Sequence, residues 1–152
     1  VGEFLMLMMD QSMPHQEERV VIESSLPQPV VTCILLNKGK YVMQLRDDKP
    51  DINSPGLWGL FGGYRREFED PMTAISRELK EELGIEINPV RRFIDGIEYT
   101  SHLIFLEDIS NQYDQIVLGE GQDFGSFSLA ELGGMKVSAF SLEILKKFEN
   151  QK

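Results

Sequence analysis

A single helix in the middle of the chain sets the strongest limit on the fold. Asp70 followed by Pro71 is typical of a helix start, because the Asp side chain caps the first turn and proline fits the first helical position. Gly84 is a typical helix stop, because glycine readily takes the left-handed conformation. Between them apolar residues recur at spacings of three and four, at Met72, Ile75, Leu79 and Leu83. The pattern predicts a helix that buries one apolar stripe against another layer.

The segments on both sides of this helix are rich in residues that favour strands. The predicted strands cover residues 29–36, 41–46, 57–61, 85–87, 91–99, 102–106 and 115–118. The third of them is expected to end at the Gly62-Gly63 pair. A helical turn is predicted at 128–132, and a closing helix at 138–148 with Leu142, Leu145 and Phe148 facing inward. Strands around one helix and a final helix predict an α/β sandwich with a mixed sheet.

Length and charge exclude several classes of protein. The chain has 152 residues, which suits one domain. We expect this domain at 18–152, after a flexible arm or expression remnant at 1–17, whose short apolar run is far from spanning a bilayer. The net charge of −10 disfavours a nucleic-acid polymer or an anionic membrane as partner. An anionic ligand would therefore need a cation between it and the protein.

The polar face of the central helix carries three glutamates at helical spacing. Glu78, Glu81 and Glu82 fall on one arc of the helix, where like charges destabilise it slightly. A divalent cation such as Mg²⁺ or Mn²⁺ reverses that cost, because these ions prefer oxygen ligands. A solvated acidic face is the alternative interpretation.

The spacing around these glutamates has a known counterpart. Gly63 is followed after five residues by Glu69, and after seven more by the run from Arg77 to Ile85. This segment resembles the Nudix box, G-x5-E-x7-R-E-U-x-E-E-x-G-U, at every fixed position. The tripeptide Glu120-Gly121-Gln122 is similar to an E-G-Q found after the box in the MutT-type nucleotide-sanitising subgroup.

The resemblance implies a fold, a metal site and a reaction. The fold would be a Nudix-type α/β/α sandwich with a mixed central sheet and the loop-helix of the box. Mg²⁺ or Mn²⁺ would be bound by side chains and one backbone carbonyl, those of Glu69, Glu78, Glu81, Glu82 and Gly62. The resemblance also implies that Arg77 orients the glutamates, and that the general base is one of Glu78, Glu81 and Glu120.

Two positions depart from the usual loop of the family, G-G-x-x-E-x-G-E. Arg66 stands where Glu is common, and Phe68 stands where Gly is common. Because phenylalanine disfavours positive φ, we expect the loop backbone to differ there. Side chains that could contact substrate are Arg46, Trp58, Tyr64, Arg65 and Arg66. Core packing or surface charge is the alternative for each of them.

The predicted reaction is metal-dependent hydrolysis of the pyrophosphate linkage in a nucleoside diphosphate joined to another group. A nucleoside triphosphate or oxidised dNTP is favoured, although the purine-reading Asn of that subgroup has no clear counterpart in 136–140. The alternatives are an ADP-ribose or nucleotide-sugar pyrophosphatase, and a non-catalytic nucleotide-binding module.

Cys33 lies alone in an apolar run, which favours a reducing, cytoplasmic location. A homodimer fits this layout, and the sequence leaves the oligomeric state open.

Overall fold

Seven strands form one mixed sheet in the computed structural model, which describes residues 30–94 and 102–152. The predicted arm at 1–17 and the expected domain start at 18 lie outside the described residues. The strands are β1 Val30–Asn37, β2 Lys40–Leu45, β3 Trp58–Gly59, β4 Phe61–Tyr64, β5 Val90–Arg91, β6 His102–Asp108 and β7 Asp123–Phe127. The helices are α1 Pro71–Leu83, α2 Leu129–Leu132 and α3 Ala139–Asn150, with a 3₁₀ turn at Tyr113–Gln115.

Strand β1 lies at the centre of the sheet and has three neighbours. One edge pairs in parallel with β6 from Val30 to Leu36. The other edge is divided, because β4 pairs with its first half and the hairpin partner β2 with its last two residues. Side chains alternate along β1, so that Cys33 packs under α1 and Ile34 packs under α3. The two helices therefore cover opposite faces, and the predicted α/β sandwich is confirmed.

The predicted single strand at 57–61 is wrong, because the chain changes partner within it. Trp58–Gly59 pairs with β2, and Phe61–Tyr64 pairs with β1. Between them, the Leu60 N–H donates to Ser141 Oγ at 3.0 Å instead of to a strand. The Gly62-Gly63 pair therefore lies inside β4 rather than ending a strand.

Helix α1 has the predicted ends and most of the predicted buried stripe. Asp70 accepts a hydrogen bond from the Thr73 N–H at 3.2 Å, and Gly84 closes the helix with φ of +72°. Ile75, Leu79 and Leu83 are fully buried. Met72 is the exception, since it is 37% exposed and lines a groove at the protein surface.

After α1 the strand predictions are less accurate. Residues 85–87 and 115–118 form no strand. Of the predicted strand at 91–99, only Arg91 lies in a strand, β5, and residues 95–99 are outside the described residues. Ile85 and Ile87 are nevertheless buried in the core under α1, so their alternation indicates burial without a strand partner. Strand β7, antiparallel to β2, was not predicted, because its Asp, Gly and Ser residues are weak strand formers.

The C-terminal helices lie close to their predicted positions. Ser128 and Glu131 form a reciprocal capping box around α2, and Ser138 caps α3. Leu145 and Phe148 are buried as predicted, whereas Leu142 is only half-buried and Ile144 fills the core instead. Among residues 30–94 and 102–152 there is no helix with the length and apolar character needed to cross a membrane.

Candidate active site

Arg77 links the loop before α1 to the helix itself. Its Nε and Nη2 donate to the two carboxylate oxygens of Glu69 at 2.7 and 2.8 Å, a parallel two-bond geometry. Its Nη1 donates to Glu78 Oε2 at 3.1 Å. The hydrogen bonds from Arg77 lower the pKa of Glu69 to about 2. Arg77 thus fixes the loop carboxylate and one helix carboxylate together.

Glu82 is a buried carboxylate on the same helix. It is 4% exposed, and its Oε1 accepts the Gly62 N–H at 3.2 Å. Burial raises its pKa well above the ordinary range, and the charges of Glu78 and Glu120 raise it further. A cation near this carboxylate would offset the free-energy cost of its burial and would favour the charged form of Glu82.

Glu78 lies directly against the glycine pair of β4. A Cβ built on Gly63 would come within 2.6 Å of the Glu78 carboxyl carbon, so a larger residue at 63 would displace the Glu78 carboxylate. Burial raises the pKa of Glu78, and its bond to Arg77 opposes that effect. Glu81 is more exposed, 3.5 Å from Arg77 Nη1 and 3.8 Å from Arg66 Nη2.

Glu120 reaches this site from a different part of the chain. It is exposed, and its charge raises the pKa of both Glu78 and Glu82. Its backbone carbonyl accepts the side-chain N–H of Gln44 at 3.0 Å. The fold therefore brings together the carboxylates that sequence spacing alone joins only within the helix.

The donor set suits a hard divalent cation. The candidate ligands are all oxygens, and among the described residues the buried Glu82 forms no ion pair like that of Arg77 with Glu69. Within the described residues, no three acidic, His or Cys side chains are already gathered into a metal shell. Arg77 and the Gly62 N–H hold the glutamates in their present positions.

A cavity of about 350 Å³ opens at the glycine pair of β4, which Glu78 and Glu82 contact. Gly62 and Gly63 form part of its wall, and of the predicted substrate residues Arg46 and Tyr64 line it. Trp58 instead packs edge-on against Phe127 at 5.0 Å, as part of the core under α3. Arg65 and Arg66 are not among the described residues that line this cavity, and Arg66 faces Glu81.

Other residues that the sequence did not indicate also line the cavity, among them His102, Phe140 and Ser138. His102 and Phe140 place their rings 4.6 Å apart, and Ser138 lies at the start of α3. Burial lowers the pKa of His102, which favours the neutral imidazole. These residues come from β6 and α3, and no local spacing connects them to the glutamates.

Phe68 keeps a left-handed backbone conformation. Its φ is +63°, and its side chain is 95% exposed. The substitution has therefore not moved this position out of the region that glycine favours, contrary to the expectation from the sequence.

Comparison with known proteins identifies a domain over most of the chain. A family model described as the NUDIX domain matches residues 26–142. The search of curated protein sequences gave no match.

Several solved structures share this fold at low sequence identity. A MutT protein from Methanosarcina mazei Go1 has a TM-score of 0.61 and 22% identity, over 84% of this chain and 98% of its own. A C. elegans Ap4A hydrolase has a TM-score of 0.60 and 21% identity, over 80% of this chain and 96% of its own. A bifunctional NMN adenylyltransferase/ADP ribose pyrophosphatase from Francisella tularensis, complexed with AMP and a Mn ion, has a TM-score of 0.62 and 16% identity. It aligns over 90% of this chain and 46% of its own.

Proposed function

We propose that this chain cleaves a pyrophosphate linkage in a nucleotide with the help of a divalent metal. The chain belongs to the NUDIX domain family, and so to the hydrolases of phosphorus-containing anhydrides. The substrate we favour is a nucleoside triphosphate, including an oxidised dNTP. The observation that carries this proposal is the buried Glu82 beside Glu78, both in contact with the Gly62-Gly63 pair that lines a cavity of about 350 Å³.

The proposed metal is Mg²⁺ or Mn²⁺. Glu78, Glu81 and Glu82 would hold it, with the Gly62 carbonyl and Glu69 in supporting positions. When bound, such an ion neutralises charge on pyrophosphate oxygens and lowers the pKa of a coordinated water.

The side chains of the site have separate tasks in this proposal. Arg77 keeps Glu69 and Glu78 in place through hydrogen bonds to charged groups. The attacking water loses its proton to a carboxylate, for which Glu78, Glu81 and Glu120 are the candidates. Burial raises the pKa of Glu78, which makes this carboxylate a stronger base than an exposed glutamate. The water oxygen then bonds to one phosphorus as the bridging oxygen leaves on the opposite side.

The cavity beside the glutamates would accommodate the group attached to the phosphates. The Phe140 and His102 rings and Tyr64 offer aromatic surface for a base, and Arg46 offers positive charge. Relatives described as MutT proteins support a nucleoside triphosphate, as does the E-G-Q segment. The Ap4A hydrolase and ADP ribose pyrophosphatase neighbours keep ADP-ribose or a nucleotide sugar as the second candidate.

The test is a panel of nucleoside triphosphates, oxidised dNTPs, dinucleotides, ADP-ribose and nucleotide sugars with Mg²⁺ or Mn²⁺. Products identify both the substrate and the phosphorus attacked. We expect Glu82→Gln to reduce turnover by at least ~100-fold. The matched control is Glu86→Gln, since Glu86 is an exposed glutamate outside the site.

Two outcomes would count against the proposal. Full activity in Glu82→Gln would remove the metal assignment. Nucleotide binding without turnover under either metal would favour the non-catalytic module instead.

A cytoplasmic location and a two-fold dimer accompany this proposal. The buried free thiol of Cys33 supports a reducing compartment. Sedimentation of the purified chain tests the dimer.

A further inference from the structure

The segment from Val117 to Gln122, which we call the strap, is bonded to two different elements. On one side it reaches the C-terminal end of α1, and on the other the end of β2. Glu120 lies between these two attachments. The E-G-Q tripeptide is therefore part of a connection between the metal-site helix and the sheet.

The helix side of the strap uses backbone donors. Val117 and Gly119 donate their N–H groups to the carbonyls of Leu83 and Glu82 at 3.0 and 2.8 Å. These carbonyls belong to the last turn of α1 and have no partner within the helix. A Cβ on Gly119 would lie 2.1 Å from the Glu81 carbonyl oxygen, so only glycine permits this approach.

The strand side of the strap uses two glutamines. Gln44 is 4% exposed in β2, and its Nε2 donates to the Glu120 carbonyl at 3.0 Å. Gln122 donates from its backbone N–H to Leu45 O at 2.8 Å and from its Nε2 to Arg46 O at 2.9 Å. Gly121, with φ of +88°, turns the chain tightly against β2.

The charges around Glu120 explain why such bonds are needed. Glu78, Glu81 and Glu82 are all acidic, so electrostatic repulsion opposes a fourth carboxylate close to them. Glutamine is a neutral donor, and it can fix the backbone of Glu120 without neutralising the side chain. A lysine or arginine in its place would compete with a cation for the carboxylates.

We propose that Gln44 and Gln122 are positioning residues that hold Glu120 beside the helix glutamates. This inference rests on the proposed function, since it assumes that Glu120 acts on a bound metal or on the attacking water. The alternative is that the glutamines only stabilise the end of the sheet.

The test combines substitutions in the strap with one at Glu120. Gln44→Met and Gln122→Met keep much of the side-chain volume and remove the amide donor. We expect each to lower kcat by roughly 10-fold with KM changed less than about 3-fold, because the group lost acts mainly in the transition state. Glu120→Gln is expected to lower kcat by at least ~10-fold. In the Glu120→Gln background, Gln44→Met should change kcat by less than about 2-fold, because both substitutions affect the same group.

The matched control is Gln112→Met. Gln112 also donates its side-chain N–H to a backbone carbonyl, that of Glu86 at 3.0 Å, but lies outside the strap. We expect its kcat to equal that of the wild type. Gln122 lies nearer the surface than Gln44, so its variant still reports on the strap if the Gln44 variant fails to fold.

A second measurement does not depend on turnover. Mn²⁺ binding, followed by electron paramagnetic resonance, should weaken about 3-fold or more in Glu120→Gln and in Gln44→Met, because a nearby negative charge is lost or displaced. Equal effects of Gln44→Met on kcat with and without Glu120 would overturn the inference, as would Mn²⁺ affinity unchanged in both variants. If the wild type hydrolyses no nucleotide, the proposed function fails, and the Mn²⁺ affinities still decide the role of the strap.

Discussion

Phe68 combines an exposed aromatic side chain with a backbone conformation that suits glycine. A non-glycine residue at φ near +63° costs on the order of 1 kcal/mol, and its 95% exposed side chain gains little packing in return. We expect Phe68→Gly to raise the free energy of unfolding by about 0.5 to 1 kcal/mol, after allowance for the added flexibility of the unfolded chain.

The measurement is urea denaturation, with Phe93→Gly as the matched control. Phe93 is also an exposed phenylalanine, at 76%, but it is not among the residues with positive φ. We expect its replacement to lower stability. A loss of stability of the same size in both variants would contradict the explanation from backbone strain.

Glu82 makes the stability of the metal-free protein depend on pH. Burial raises its folded-state pKa well above the ordinary 4.5, so between these two values the folded chain retains a proton that the unfolded chain has lost. The free energy of unfolding therefore falls as the pH rises above about 4.5. We expect Glu82→Gln to be more stable than the wild type by at least about 1 kcal/mol at pH 8, and by less at pH 5.

Urea titrations in EDTA between pH 5 and 8 measure this difference. Glu86→Gln, at an exposed position, should follow the wild-type curve. Parallel curves for the wild type and Glu82→Gln would contradict the prediction. Added Mg²⁺ should stabilise the wild type and have little effect on Glu82→Gln.

At the scale of elements, Arg77 is what joins the β4–α1 loop to α1. Lysine in its place cannot form the parallel pair of bonds to Glu69 and also reach Glu78. We expect Arg77→Lys to lower the free energy of unfolding by about 1 to 3 kcal/mol. Turnover should fall by roughly 10- to 100-fold, because the carboxylates proposed to hold the metal lose their orientation.

Thermal unfolding and steady-state kinetics check both effects. Arg91→Lys is the control, since Arg91 is exposed on the short strand β5 and far from the loop in sequence. Wild-type turnover in Arg77→Lys would show that the two-bond geometry is not needed.

The accuracy of the element predictions follows from how local each signal is. Helix α1 could be predicted with both ends, because its cap, its stop and most of its apolar stripe lie within fifteen consecutive residues. The division of 57–61 between two partners could not, because it depends on β1 and β2, which precede it, and on Ser141, which follows far along the chain.

The same distinction applies to the candidate site. The box glutamates and Arg77 are close in sequence, so their spacing together with the resemblance to the Nudix box is enough to indicate them. The cavity is different, because pairing of β1 with β6 brings His102 beside Val30 and a bridge from Trp58 to Val137 brings in α3. These contacts join residues that are far apart in the chain, so no spacing pattern in the sequence predicts them.

At the scale of the whole molecule, the charge of −10 opposes the approach of an anionic substrate. The stretch from Phe93 to Met135, which contains no Lys or Arg, alone carries eight acidic residues. We expect kcat/KM to rise by up to a few-fold as ionic strength increases from about 0.01 to 0.15 M at saturating free Mg²⁺, because salt screens this repulsion.

Initial rates at low substrate concentration measure this dependence. Sucrose at matched osmolality is the control, since it changes water activity without screening charge. A fall in kcat/KM with added salt would mean that local positive charge, such as that of Arg46, dominates the encounter.

The divided edge of β1 separates the elements that hold the glutamates from those that form one wall of the cavity. The glutamates depend on α1, β4 and the strap, whereas one wall of the cavity is the start of α3. That wall is attached near β3 through hydrogen bonds of Trp58 with Lys136 and Ser138, and through Ser141. A different side chain at Phe140 would alter the width of the cavity and leave the contacts of Arg77 and Glu82 intact. Under the proposed function, the architecture therefore allows substrate preference to evolve through the cavity wall while the glutamates of the metal site stay unchanged.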